Sequence, residues 1–434
     1  LHMKIGVLGF GNVAAATVQR FVFNRDLIAS KLETEIEIAK VATRTVSRAS
    51  GLVPQACVLT DDCWSVVDDP EIDVVIELIG GVELAKELVL RAIANGKHVI
   101  TANKALLATS GEKILQLADQ KGVCVLFEGA VAVSIPIIKT LKESAAANRV
   151  SSIVGILNGT SNYILSQMSE QGADFGDALA QAQQKGYAEA DPALDVNGED
   201  AAHKITILAS LAFGVPVDFD MVRFKGITEI ERADIQAAKR LGYELKLIAQ
   251  AQLRNDKVSI SVAPTLVPNH SMLAHVRGSM NGISLAGDLF GPAFFYGSGA
   301  GGVQTASAIL ADLIDLAQST RDGKYVGAPN MGFKKSAMAG KEYLSSDECS
   351  SQFYLRLKVE DKVGVLAEVS AIFAKADVSV STLLQDESRE GMTDLIATTH
   401  AISTSKLQSI LPLLQDAAGG HPVVTYPVLD ERAD

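Results

Sequence analysis

The chain has 434 residues, 48% of them apolar and only 5% aromatic, with a formal net charge of −12. That length exceeds what one hydrophobic core supports, so two or three domains are expected. The acidic balance argues against nucleic-acid and anionic-membrane partners, yet leaves small anions open, since these need only a local basic patch. Cys57, Cys63, Cys124 and Cys349 form neither a CxxC pair nor a zinc spacing and read as free thiols of a reducing compartment. No basic, apolar leader precedes the first strand and no apolar run is long enough for a membrane helix, so a soluble, cytoplasmic protein is expected.

In chain order, Lys4–Leu8 reads as a short buried strand. Gly9-Phe10-Gly11-Asn12-Val13-Ala14 follows, a GxGxxA turn into an apolar-faced helix. Gly9 allows the tight turn, Gly11 lets the backbone approach a pyrophosphate, and Ala14 lets the helix close on the sheet. The helix N-terminus offers unpaired N–H groups to the anion. A second strand, Ile36–Ala42, completes a Rossmann-type unit. It runs out into Thr43-Arg44-Thr45-Val46-Ser47-Arg48, with no carboxylate to accept from a ribose 2′-hydroxyl. Arg44 and Arg48 suit a 2′-phosphate instead, so NADP(H) is preferred, with NAD(H) accepted. Ile72–Gly81 is the next buried strand, ending at Gly80 where a cofactor passes close to the backbone. The strand Lys97–Ala102 then delivers Asn103 and Lys104 to the carboxyl edge of the sheet, where ligands of such sheets sit. His98, inside that strand, is structural. Val123–Phe127 is a further strand leading to Glu128, a lone carboxylate among small apolar residues. It either binds a cation with backbone carbonyls or caps the next helix.

Val150–Leu157 reads as a strand, and Asn158-Gly159-Thr160 as a turn into a helix. Asn158 and Thr160 serve there either as caps or as donors to a carboxylate. Residues 186–199 crowd Glu189, Asp191, Asp195 and Glu199 into a short loop punctuated by Gly and Pro. A nearly all-apolar helix then opens with Asp200 and Lys204 one turn apart, on one face. An Asp/Lys pair on a buried helix facing an acidic loop points to a site rather than to a surface salt bridge. Tyr243–Leu253 and Lys257–Ala263 read as strands joined by a turn at Arg254-Asn255-Asp256. Ser298-Gly299-Ala300-Gly301-Gly302 feeds a long apolar helix, Val303–Ala317, which suggests that the chain returns to the dinucleotide domain and touches the cofactor again at Gly301. Residues 324–346 look like a linker. From about residue 352 the order is βαββαβ, the ferredoxin-like arrangement, a separate small module. Its first strand-to-helix corner, Asp361–Leu366, is a good place for a small ligand to meet free N–H groups, with Gly364 and Leu366 foremost.

These motifs, in this order, resemble homoserine dehydrogenase over essentially the whole chain: Gly9–Ala14, Thr101–Lys104, Gly155–Tyr163, Gly186–Pro192 with Asp200 and Lys204, and Gly299-Ala300-Gly301. The acidic loop with Asp200 and Lys204 is the most specific of them. The tail resembles an ACT domain, a regulatory module that often binds amino acids, and no kinase segment precedes the first strand, as in the family's monofunctional form. The expected architecture is therefore α/β. It comprises a Rossmann-type dinucleotide-binding domain (1–148, with 303–320 returning), an α+β substrate-binding and dimerisation domain (149–302), a linker (321–350) and a βαββαβ ACT domain (351–434). The resemblance implies interconversion of L-homoserine and L-aspartate 4-semialdehyde with NAD(P)H, in threonine and methionine biosynthesis. It implies Lys204 as proton donor and acceptor, Asp200 positioning substrate or water, Lys104 beside the reacting carbon, and Glu189 on the substrate amine. It also implies a structural sodium ion held by Glu128 and the carbonyls of Val131, Val133 and Ile135. The tail leaves open whether L-threonine or another amino acid is the effector, and both the tail and the catalytic sheet favour a homodimer or homotetramer. Val133-Ser134 stand where the family commonly has glycines, and Ala190 and Leu194 where it has Pro and Asp. Two other readings are an aspartate-semialdehyde dehydrogenase, which needs a cysteine nucleophile that no cysteine here is placed to supply, and a non-catalytic protein that senses NADPH and amino acids.

Overall fold

The structure, a computed structural model, describes residues 2–321, 324–338, 340–345 and 347–430. It divides into two compact units, each assembled from three stretches of chain: Leu1–Ile153, Asp200–Val222 and Asn281–Gly340 in the first, Val154–Glu199, Arg223–Met280 and Lys341–Asp434 in the second.

The first unit is built on six parallel strands, β1 (His2–Leu8), β2 (Glu35–Ala42), β3 (Val58–Thr60), β4 (Val74–Glu77), β5 (His98–Thr101) and β6 (Val125–Leu126). Their order, β3-β2-β1-β4-β5-β6, reverses between β1 and β4, which is where such sheets open a crevice for a dinucleotide. The strands expected over 72–81 and 123–127 shrink to four and two residues. Their glycine-rich or bent ends leave the ladder to form loops at the crevice. Long helices follow three of the strands, α1 (Asn12–Phe23), α2 (Glu83–Ala94) and α3 (Lys104–Lys121), while single turns follow β2 and β3. Helix α1 buries Ala14, Thr17, Val18 and Phe21 at its 3.6-residue spacing. The late helix Gly302–Gln318 returns to this core, placing Ile309, Leu313 and Leu316 among Ile5, Val7 and Val18. Within the stretch read as a linker, Asn330 is buried. Its amide donates to Asp119 Oδ1 (2.9 Å) and accepts from the N–H of Val125 (2.8 Å), so the chain docks here instead of running free. Asp322, Gly323, Ala339 and Ser346 of that stretch lie outside the described residues.

The second unit centres on the hairpin of strands Tyr243–Arg254 and Lys257–Pro268, paired antiparallel along their full length. Its two turn residues, Asn255 and Asp256, hold φ of +50° and +62°, the left-handed pair of a two-residue type I′ hairpin that Asn and Asp tolerate. The second strand extends past the expected Ala263 because Pro264–Val267 are buried on both faces, which hides the alternation that marks a strand. The C-terminal module has strands Ser350–Glu360, Val380–Gln385, Met392–Thr399 and Val424–Val428 with helices Val365–Lys375 and Thr404–Ala417. The sheet order, fourth-first-third-second and antiparallel, is the ferredoxin-like one. Two features join this module to its unit. Val428 pairs in parallel with Leu266 of the hairpin, which continues the sheet. Arg356, on the module's first strand, sends Nε to Asp234 Oδ1 at 2.7 Å and a second nitrogen to Oδ2 at 3.1 Å. Asp234 lies in the helix Arg232–Arg240, where it also completes the capping box with Glu231. Taking these two charges out of water costs several kcal/mol per ion, a cost their two-point pairing offsets, so the module is docked on its unit and does not stand apart as the sequence suggested.

Candidate active site

The crevice of the first unit is shaped for a dinucleotide. Gly9 has φ of +89°, and a Cβ on it would come within 2.7 Å of the Leu78 carbonyl oxygen, so only glycine fits. A Cβ on Gly11 would meet nothing within 4 Å, nor would one on Gly80 or Gly81, so these three border open space. Helix α1 starts at Asn12 with no side-chain cap, leaving its first N–H groups for an anion. The side chains of Phe10 and Val13 pack into the core, so what they present to the crevice is backbone. Arg48 donates to Asn12 Oδ1 (3.1 Å), which lays its guanidinium beside the fingerprint, and Arg44 is exposed at the end of β2. These residues fit a bound nicotinamide dinucleotide.

One organiser of this crevice escaped the sequence reading. Glu77, the last residue of β4, is fully buried. It accepts from Thr101 Oγ1 (2.7 Å) and from the N–H of Ile79 (2.9 Å), fixing the turn into Gly80. Burial raises its carboxyl above the usual range, and these hydrogen bonds oppose the rise. Its signal was present as the lone acid inside the run Val74–Ile79. Thr101 in turn accepts from the N–H of Asn103 (3.0 Å). Asn103 caps α3 by accepting from the N–H of Leu106 and donates to the Gly81 carbonyl (2.7 Å). Lys104, the first residue of α3, therefore leaves a tightly tied corner.

Lys104 reaches Asp200. Its Nζ lies 3.0 Å from Asp200 Oδ1, while Lys204 Nζ donates to Oδ2 at 2.7 Å. The helix Glu199–Phe213 buries every residue after Glu199, and both the Asp200 and Lys204 side chains are under a tenth exposed, whereas that of Lys104 is 38% exposed. The i,i+4 pair that the spacing implied is thus extended to a triad. One carboxylate holds two ammonium groups, one buried and one facing solvent. A carboxylate in this position holds both lysine side chains aimed together, the arrangement that stabilises negative charge growing on a substrate oxygen.

The expected substrate residues gather in the second unit. Asn158 caps the helix Gly159–Gln171 by accepting from the N–H of Ser161 (2.8 Å), and its amide donates to Asp195 Oδ1 (2.7 Å). Thr160 Oγ1 donates to the Tyr187 carbonyl (2.6 Å), tying the acidic loop to the start of that helix. Glu189 is exposed, with its backbone carbonyl held by Gln183. In the first unit, Glu128 is buried and its two oxygens accept from the N–H groups of Ile138 (3.1 Å) and Lys139 (2.9 Å), so it caps a helical turn. Burial pushes its carboxyl up to about 7. Each carboxylate oxygen keeps a further lone pair, the donor set a monovalent cation uses with carbonyls such as those of Val131 and Val133, while the Ile135 carbonyl already accepts from the N–H of Ile137 (2.7 Å). No group of three or more His, Cys, Asp or Glu suited to a metal occurs among the described residues. In the C-terminal module, Gly364 has φ of +99° and opens the helix Val365–Lys375, and Leu366 is 42% exposed.

A sheet that seats a dinucleotide, and a buried aspartate that gathers two lysines within the same unit, define a nicotinamide-dependent oxidoreductase working on an alcohol and its carbonyl partner. Comparison with known proteins makes the class particular. Residues 136–314 match the homoserine dehydrogenase family model, residues 9–128 the NAD-binding domain of homoserine dehydrogenase, and residues 353–419 the ACT domain. The homoserine dehydrogenase of Pseudomonas aeruginosa is 42% identical over 436 residues, covering 100% of this chain and 99% of its own. The crystal structure of a homoserine dehydrogenase from Thiobacillus denitrificans superposes with a TM-score of 0.93 at 40% identity, over 99% of both chains. A hyperthermophilic archaeal homoserine dehydrogenase solved in complex with NADPH shares the fold at 24% identity (TM-score 0.63), covering 74% of this chain and 99% of its own. The chain belongs to the homoserine dehydrogenase family, oxidoreductases of amino-acid biosynthesis, and carries a C-terminal ACT domain.

Proposed function

We propose that the protein reversibly reduces L-aspartate 4-semialdehyde to L-homoserine with NAD(P)H, preferring NADP(H). The observation that carries this reading is Asp200 bridging Lys104 and Lys204 at 3.0 and 2.7 Å. The nicotinamide, when bound, supplies or accepts the hydride. Gly9, Gly11, Asn12, Gly80 and Gly301 line its path with backbone, and the exposed Arg44 and the Arg48 guanidinium beside Asn12 favour a 2′-phosphate. Lys204 and Lys104 direct ammonium groups at the oxygen that becomes negative in the transition state, an interaction stronger there than in the ground state. Lys204, being buried, passes the proton to that oxygen, and Asp200 fixes its direction. Glu189 binds the substrate amine, while Asn158, Thr160 and Asp195 hold the loop that presents it.

The same reading extends to a sodium ion at Glu128 with the carbonyls of Val131, Val133 and Ile135, to self-association, to a cytoplasmic location and to an amino-acid effector, L-threonine, at Gly364 and Leu366. No described helix is long and apolar enough to cross a membrane. Replacing sodium by choline should lower the Tm by a few degrees and leave the cofactor preference unchanged. An unaltered Tm would remove the cation from this account.

Steady-state oxidation of L-homoserine with NADP⁺ and with NAD⁺, each with and without L-threonine, tests the proposal. Turnover preferring NADP⁺, inhibited by threonine, is expected. Preference for NAD⁺ would overturn the arginine argument alone. Cofactor binding without turnover would identify a sensor instead of an enzyme.

A further inference from the structure

Asn281 opens the strand Met280–Gly287 and is fully buried, yet neither Nδ2 nor Oδ1 of its amide has a hydrogen-bond partner among the described residues. A buried side-chain amide offers two donors and an acceptor, and native interiors rarely leave such a group unused. What lies against it is a glycine. A Cβ on Gly299 would sit 2.2 Å from Nδ2 and 2.4 Å from Oδ1, so the amide rests flat on the Gly299 backbone.

That glycine begins a short loop with a clear destination. Gly301 has φ of +129°, beyond the reach of ordinary side chains, and Gly302 starts a 17-residue helix with no side-chain cap. A Cβ on Gly302 would stand 3.4 Å from the Asn12 carbonyl oxygen, so this helix and α1 bring their N-termini together at the glycine fingerprint. The loop is tied at both ends: Ser298 Oγ donates to the Ala300 carbonyl (2.8 Å), the Ser298 carbonyl accepts from the N–H of Ser134 (3.1 Å), and the Gly301 carbonyl accepts from the N–H (2.9 Å) and Oγ1 (2.8 Å) of Thr305. The loop thus has an unused amide behind it, a dinucleotide crevice in front, and glycines at both ends that let its peptide groups turn.

We propose that Asn281 is a positioning residue for the nicotinamide cofactor: its amide is the latch that peptide groups of the Gly299–Gly301 loop engage when the cofactor seats. The loop then carries the strain of an unmade pairing in one arrangement and is rewarded for closing in the other. This rests on the proposed dehydrogenase function, because it deepens the cofactor side of that site.

The test is Asn281→Leu, which keeps the branched shape and the number of heavy atoms and removes the hydrogen-bonding groups. Three quantities are read: NADPH Kd by fluorescence titration, the Tm of the protein without cofactor, and the KM for L-homoserine. The latch predicts a Kd weakened about tenfold, the worth of one hydrogen bond, with an unlowered Tm and a homoserine KM within about twofold of the parent. An unchanged Kd overturns it. So does a weakened Kd accompanied by a fallen Tm, which would make Asn281 an ordinary core amide satisfied by water, and so does an effect confined to the homoserine KM. Should the leucine variant not fold, Asn281→Ser is read by the same criteria. Failure of the unsubstituted protein to bind NADPH would instead sink the functional reading, and this inference with it.

Discussion

Two buried aspartates, one in each unit, show how the same residue type serves opposite ends. Asp234 is gripped by a planar guanidinium through two hydrogen bonds, at 2.7 and 3.1 Å, and approached by the hydroxyls of Tyr354 and Tyr426 at 3.3 and 3.4 Å. Its side chain is wholly inaccessible. Such a carboxylate is saturated, and arginine cannot give up its proton, so the cluster is a joint between the helix Arg232–Arg240 and the sheet of the C-terminal module. Asp200 is approached by two lysines, at 3.0 and 2.7 Å, one of them on a partly exposed, flexible stem. Lysine can exchange a proton, and a point charge can follow an oxygen as it moves. Rigidity is the product at Asp234, and protons that remain deliverable are the product at Asp200.

That contrast can be broken at either end. The largest effect is expected from Lys204→Ala, which should lower kcat by about 10³-fold, within the range for a positioned acid–base group. Its Tm should fall less than for loss of a sole partner, because Lys104 still pairs with Asp200, and retained kcat with a raised KM would make Lys204 a binding group. Lys104→Ala should cost less, about 10²-fold in kcat, since its ammonium is one oxyanion donor of two and is partly solvated. At the other aspartate the loss should fall on stability alone. Arg356→Met strands Asp234 in the interior, at a cost of about 3–5 kcal/mol in denaturant unfolding. Its kcat, measured where the variant is folded, should match the parent, and a selective loss of kcat would show that the joint reaches the chemistry.

The smallest effect concerns Lys246, whose ammonium is buried in the second unit, bonded to the Val276 carbonyl (2.6 Å) and to Asn162 Oδ1 (3.2 Å). Burial pulls it down to about 8, helped by Arg277 and opposed by Glu244 and Glu170. The folded state therefore binds fewer protons than the unfolded chain between that value and the ordinary lysine range. Stability attributable to this group rises as pH increases through that window. The parent should gain on Lys246→Met between pH 7.5 and 9.5 in unfolding midpoint, and a difference independent of pH would show that Lys246 stays charged.

Much of the first unit was legible because its signals are local. The strand–glycine–helix succession at residues 4–23 and the Asp200/Lys204 spacing are written within a turn or two of chain, as is the βαββαβ order of the tail. Side chains four apart on a helix share a face whatever surrounds them. For the same reason the Asn255-Asp256 hairpin could be read, since its φ preferences belong to those two residues.

What the chain alone left open are meetings between distant stretches. Lys104 was placed at a strand end by the crevice rule, but its partner lies 96 residues on. Arg356 and Asp234 are separated by 122 residues, and each, taken singly, reads as a solvated charge. Glu77 is one acid inside a run that reads as a strand, and nothing in the sequence marks Asn281; the fold gave the first a web of donors and the second no partner among the described residues. Periodicity reports which face of an element is buried, and so the sequence by itself determined the elements, the dinucleotide fingerprint and the family. Burying a charge or an amide is tolerable only with a partner supplied from elsewhere in the chain. That pairing is a three-dimensional property, and the tertiary structure alone decided it.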